Sequence, residues 1–237
     1  MEPLALITGA GRGIGAATAR ELARRGYRIA VNYHRDAAAA EAVAADTGGT
    51  ALRADVRDPA RVAELLAACG PVDVLVCNAN IAPPFGPLAS MPWETFIGKV
   101  EGELAAVYHL TQAVLREMPP HGRIVYVSSL SAEVTRPGAA AHATAKAALD
   151  TFARHVAAEA SPVTVNVVAP AGVRTDGSAA ARTPEIEAAL ADRSVLGRMI
   201  EPDDVAKVIA SVVDGGLPAV TGVRIPVDAG FRVLAAP

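Results

Sequence analysis

Lysine is scarce in this chain. Of 22 basic residues only three, Lys99, Lys146 and Lys207, are lysine, and the rest are arginine. Beside so much alanine, that bias reads first as the habit of a genome that seldom encodes lysine. Cysteine is rarer still: Cys69 and Cys77 alone exclude a disulfide scaffold and a cysteine-built zinc site. Aromatic residues make up only 4% of the chain. There is no apolar run of the roughly 18 residues that a membrane span needs. A net charge of -3 gives no basic footprint for nucleic acid. Nor does Met1-Glu2-Pro3-Leu4 open a basic segment followed by an apolar stretch and a cleavage site. The expectation is a cytoplasmic protein that takes a small-molecule substrate and binds neither membrane nor nucleic acid.

What the chain does have is apolar bulk. Hydrophobic residues form 51% of its 237 positions, enough for one sizeable core and a single domain over residues 1–237. Short apolar runs alternate with amphipathic segments. Strands are expected at Leu4–Thr8, Arg28–Tyr33, Thr50–Ala54, Val72–Cys77, Arg123–Val127, Val163–Val168 and Gly222–Val227. Helices are expected between them, at 14–25, 37–46, 59–68, 93–118, 139–160, 185–191 and 202–213. The strands are continuous apolar runs rather than alternating ones, as in a parallel sheet covered on both faces. The implied fold class is α/β: a doubly wound, Rossmann-type sandwich of about seven parallel strands. Residues 170–200 carry Pro170, Gly172, Gly177, Pro184 and Gly197, and are expected to form a substrate lid.

Thr8-Gly9-Ala10-Gly11-Arg12-Gly13-Ile14-Gly15 joins the first strand to the first helix. Glycines there permit a tight turn and a close backbone approach to a pyrophosphate facing the helix N-terminus. An acidic residue at the end of the second strand would bind a ribose 2′-hydroxyl, but this chain reads Val31-Asn32-Tyr33-His34-Arg35. Arg12 and Arg35 can converge on a 2′-phosphate instead, which favours NADP(H) over NAD(H).

These motifs resemble the short-chain dehydrogenase/reductase family, and within it the 3-oxoacyl-carrier-protein reductases, over essentially the whole chain. Asp55-Val56 looks like the family's adenine-binding pair, and Asn78-Ala79-Asn80 stands where the family has N-A-G. Val127-Ser128-Ser129 is similar to the strand end that carries the catalytic serine. Asn166-Val167-Val168-Ala169-Pro170, followed by Val173 and Thr175, is similar to the stretch that flanks the nicotinamide. The resemblance implies a cofactor site of Gly9, Gly11, Arg12, Gly13, Ile14, Gly15, Arg35, Asp55, Val56, Asn78, Ala79, Lys146, Pro170, Val173 and Thr175. It also implies a homotetramer or homodimer, and a ketone substrate of acyl, polyketide-like or other specialised type, in some cases carrier-bound.

The resemblance breaks at the chemistry. The family's tyrosine lies thirteen residues after the serine and four before a lysine; from Ser129 that position is His142, with Lys146 after it. The family's asparagine falls on Glu103, and the last glycine of N-A-G is Asn80. His142 and Lys146, at i and i+4, share one helix face. The implied catalytic set is Ser129, His142, Lys146 and Glu103. In it Glu103 pairs with Lys146, so that His142 keeps enough proton affinity to act as an acid near neutral pH, and Asn80 is an oxyanion donor. Blander readings stand beside it: His142 as a packed residue, Glu103 as an exposed helix carboxylate, Asn80 as a loop cap. Lys99 and Lys207 carry no functional expectation. Three functions follow: an NADP(H)-dependent ketone reductase, a non-redox acid–base enzyme such as a dehydratase, isomerase or cyclase, or a catalytically inactive NADP-binding subunit.

Overall fold

The structure is a computed structural model that describes residues 2–175 and 183–235. Seven parallel strands form one sheet: β1 (Leu4–Ile7), β2 (Arg28–Tyr33), β3 (Thr50–Arg53), β4 (Val74–Cys77), β5 (Arg123–Val127), β6 (Thr164–Pro170) and β7 (Arg224–Val227), in the order β3-β2-β1-β4-β5-β6-β7. The described helices are α1 (Gly13–Arg24), α2 (Ala37–Thr47), α3 (Pro59–Cys69), α4 (Trp93–Val114), α5 (Ala140–Glu159), α6 (Pro184–Asp192), α7 (Pro202–Val213) and the short α8 (Phe231–Ala235).

Alternate residues of each strand feed two different cores. On one side Leu6, Leu75, Ile124 and Val165 meet Val62, Leu110 and Leu149 from α3, α4 and α5. On the other, Ile7, Val31, Val76 and Val125 meet Leu22, Val43 and Ile209 from α1, α2 and α7. Both faces are therefore dry, which is why the strands read as unbroken apolar runs. Each fully buried Leu or Ile contributes about 1.5–3 kcal/mol relative to exposure.

Helix starts follow local chemistry. Asp36 accepts from the Ala39 amide at 3.1 Å to cap α2, and Asp58 accepts from Ala60 at 2.8 Å to cap α3, where Pro59 occupies the first turn. Differences from expectation are small. The α4 helix ends at Val114 rather than Met118, and β6 runs on to Pro170, pairing with Val227. Proline is tolerated there because it is the last residue of the strand, where its missing N–H is not needed. No described helix is long and apolar enough to cross a membrane.

In a parallel sheet the strand ends converge on one edge. The turns after β1, β4, β5 and β6 accordingly bring together the glycine loop, Asn78–Asn80, Ser128–Ser129 and Pro170–Val173. A crevice at this carboxyl edge is where doubly wound folds bind ligands.

Candidate active site

The glycine loop is built for a close backbone approach. A Cβ on Gly15 would lie 2.5 Å from the Gly9 carbonyl oxygen and 2.6 Å from Asn78 Nδ2, so no side chain fits. Gly9 and Gly13 hold φ of 62° and 56°, a region that favours glycine. The Thr8 hydroxyl accepts from the Asn78 and Ala79 amides, both at 2.9 Å, and Asn78 Nδ2 donates to the Thr8 carbonyl at 2.9 Å. This lacing fixes β1 against β4. Arg12 precedes α1 with an extended backbone and no side-chain cap, which leaves the first-turn amides for a ligand. Ile14 follows in the first turn, half-buried against the core.

Gly13 lies beside Thr175: a Cβ there would meet the threonine methyl at 3.2 Å. Val173 is buried and pairs with Ile200, and Pro170 is the last residue of β6. The expected nicotinamide flank therefore reaches the expected pyrophosphate loop. Arg12 and Arg35 are both exposed and make no ion pair among the described residues. Val56 is buried. The Asp55 carboxylate is held by Arg57, with contacts of 2.6 to 3.2 Å, which pull its pKa down to about 2. Residues 176–182 of the expected lid lie outside the described residues. Within the rest, Arg174 bonds Glu187 at 3.1 Å and also pairs with Glu201.

At the chemical end, Lys146 donates to Glu103 and, at 2.9 Å, to the Val127 carbonyl. Glu103 is buried rather than an exposed helix carboxylate. Its second oxygen accepts from Lys99, which also donates to Asn80 Oδ1 at 2.8 Å and to the Ile81 carbonyl at 2.7 Å. One carboxylate thus bridges two buried ammonium groups, tying α4 to α5 and to the turns after β4 and β5. Burial opposes the charge on Glu103, but the pull of Lys146 and Lys99 outweighs it and holds the carboxyl below its ordinary range.

Lys99 corrects the reading from sequence. It is not a background lysine but is 2% exposed and stands at the centre of the site. The signal was present: Lys99 lies four residues before Glu103, so the two share one face of α4.

His142 lies in the first turn of α5, buried, with Nδ1 making no hydrogen bond. The Phe85 ring meets it edge-on, with centroids 6.0 Å apart. Burial, then Lys146 and Lys99, lower its pKa to about 4, against only partial compensation by Glu103. The expectation that Glu103 would keep His142 protonatable near neutral pH is therefore corrected. Two ammonium groups share the one carboxylate, and the cluster is left net positive. Ser129 is half-buried at the end of β5, and its hydroxyl accepts from the Ser131 amide at 3.1 Å. Asn80 is exposed, with its amide oxygen tied to Lys99. Cys77 is buried in β4 and its thiol is pushed up to about 12, an inert core residue.

Residues 9–232 match the family described as enoyl-(acyl carrier protein) reductase. The chain belongs to the short-chain dehydrogenase/reductase family, and is an oxidoreductase by that membership. It is 36% identical to the cis-4-hydroxycyclohexanecarboxylate dehydrogenase of Sinomonas cyclohexanicum over 98% of each chain. It is 34% identical to the 3-oxoacyl-[acyl-carrier-protein] reductase of Escherichia coli K12, again over 98% of each. Among solved structures it is similar to the angucycline C-6 ketoreductase LanV with bound NADP, at TM-score 0.90, 30% identity and coverage of 98% of this chain and 96% of that one.

Proposed function

We propose that this protein is an NADP(H)-dependent reductase of a small ketone, working through Ser129, His142 and Lys146 in place of a tyrosine-centred site. The observation that carries the reading is the juxtaposition of buried His142 with the Lys146–Glu103–Lys99 bridge at the same strand ends as the glycine loop. The cofactor fits the residues present: the first turn of α1 has no side-chain cap, and Gly15 lets the loop pack closely on Gly9 and Asn78. Arg12 and Arg35 would hold the 2′-phosphate, Gly9 to Gly15 the pyrophosphate, Asp55 and Val56 the adenine side, and Asn78, Ala79, Pro170, Val173 and Thr175 the nicotinamide half. Relatives solved with NADP support that choice.

When bound, reduced nicotinamide supplies the hydride. The remaining work falls to side chains. The Ser129 hydroxyl oxygen already accepts one bond, which leaves its O–H to donate to the substrate carbonyl oxygen. His142 is a neutral imidazole at pH 7. Nδ1 is buried without a hydrogen-bond partner, and in this reading the ring proton that works is the one on Nε2. That N–H polarises the same oxygen and gives up its proton as the alkoxide forms. A neutral histidine of lowered pKa is suited to this electrophilic role. Lys146 and Lys99, with one carboxylate between them, offset the negative charge left on the ring. Lys99 fixes Asn80 with its oxygen inward, which leaves the amide N–H2 as a further donor.

The test is a panel of cyclic ketones, led by 4-oxocyclohexanecarboxylate, with NADPH consumption and alcohol formation followed together. Equal amounts of both support the reading. Substrate conversion without NADPH consumption would transfer the site to non-redox acid–base chemistry. NADPH binding with no conversion would mark an inactive subunit.

A further inference from the structure

Arg136 lies just outside the catalytic cluster, in the loop before α5, and is exposed. Its guanidinium lies over the face of Phe85, 4.2 Å from the ring centroid, and the same ring meets His142 edge-on. Phe85 is 55% exposed, so the aromatic ring that joins the two is itself open to a ligand. The two loops are pinned together by the Gly86 amide, which donates to the Gly138 carbonyl at 2.9 Å. Gly138 makes that approach at φ 78°, and a Cβ on it would lie 3.4 Å from the Gly86 backbone.

Among the described residues the charge of Arg136 meets the Phe85 face and helps to lower the pKa of His142, but it has no carboxylate partner. The acid three residues before it, Glu133, is taken by Arg224 at 2.9 Å and Arg232 at 3.2 Å. Among the described residues Arg136 makes no ion pair. A guanidinium over an aromatic face can still offer N–H groups in the fork that suits a carboxylate. Behind it the Lys99–Glu103–Lys146 bridge sets two lysines against one carboxylate.

We propose that Arg136, seated on Phe85, is a specificity-determining residue that binds a carboxylate on the substrate and so sets the carbonyl against His142. The assignment takes the reductase site above as the reacting centre. It selects small oxo-acids over neutral ketones of the same shape.

The test uses the NADPH-loaded full chain and two probes, 4-oxocyclohexanecarboxylate and its methyl ester. Arg136→Met is expected to lower kcat/KM for the acid at least about tenfold relative to the ester, and Arg136→Lys to recover part of the loss. Calorimetric binding of cyclohexanecarboxylate, which cannot be reduced, is expected in the parent and lost in Arg136→Met. Equal preference for acid and ester, or cyclohexanecarboxylate binding that is absent or indifferent to Arg136, would overturn the assignment. Tighter binding of inorganic phosphate than of the carboxylate would overturn it in favour of a phosphorylated substrate. Arg136-dependent carboxylate binding without ketone reduction would sink the reductase reading and leave this one standing.

Discussion

Glu103 on α4 and Lys146 on α5 form a buried ion pair across 43 residues of sequence, and the same carboxylate binds Lys99 one turn earlier on its own helix. The two lysines and the one carboxylate are all buried. Removing the anion is therefore the costly change. Glu103→Gln would leave two buried ammonium groups uncompensated and is expected to destabilise the fold by roughly 3–5 kcal/mol. Adding Lys99→Met should restore part of that loss, as read by denaturant unfolding of the single and double variants.

The same cluster sets the response of stability to acid. Glu103 has a depressed folded pKa, so its contribution is full above the ordinary glutamate value of about 4.3 and is lost as pH falls through the folded value. His142 adds an earlier slope. Its folded pKa is about 4 against about 6.5 unfolded, so the unfolded chain binds the proton first. Stability is expected to fall by on the order of 3 kcal/mol between those two values as pH drops. His142→Phe should flatten that window in unfolding curves taken across it.

The rate should follow the neutral ring. If His142 donates as an imidazole, activity is flat through neutrality and falls only as pH drops toward about 4. A rate that instead declines steadily from acid pH upward would show that the imidazolium is the working form. Steady-state rates at saturating NADPH separate the two.

Gly15→Ala places a methyl group against the Gly9 carbonyl oxygen and Asn78 Nδ2, both closer than 3 Å. NADPH binding is expected to fall by at least about a hundredfold, because the loop must open to accept it. Fluorescence titration with NADPH checks this, with circular dichroism to confirm that the sheet persists.

Arg12 and Arg35 are both exposed, and both are proposed to hold the 2′-phosphate. Replacing both with serine should lower the preference for NADPH over NADH by about ten- to a hundredfold while leaving NADH binding nearly unchanged. Parallel titrations with the two cofactors give the ratio.

Much of this was legible in the chain itself. Unbroken apolar runs such as Leu4–Ile7 and Val74–Cys77 reported strands covered on both faces, and their spacing reported the doubly wound order. The resemblance of Ser129, His142 and Lys146 to the family's spacing, with Glu103 at the family's asparagine, suggested that Glu103 and Lys146 would pair, and they do. The i,i+4 spacing of Lys99 to Glu103 was legible, but its burial was not, because burial is decided by tertiary packing and not by residue type. Nor was the basicity of His142, which depends on how one carboxylate divides between two cations. Phe85 and Arg136 lie in loops whose approach to α5 is set by the Gly86–Gly138 hydrogen bond, a contact that no periodicity announces.

The central claim is hydride transfer at a site where His142 stands in for tyrosine. It is tested most directly with NADPH deuterated at C4 and the ketone panel, on the parent and on His142→Phe. The account predicts deuterium on the alcohol carbon with the parent, and a loss of turnover of at least about a hundredfold in the variant, with NADPH binding retained. Product without deuterium, or a variant as fast as the parent, would contradict it.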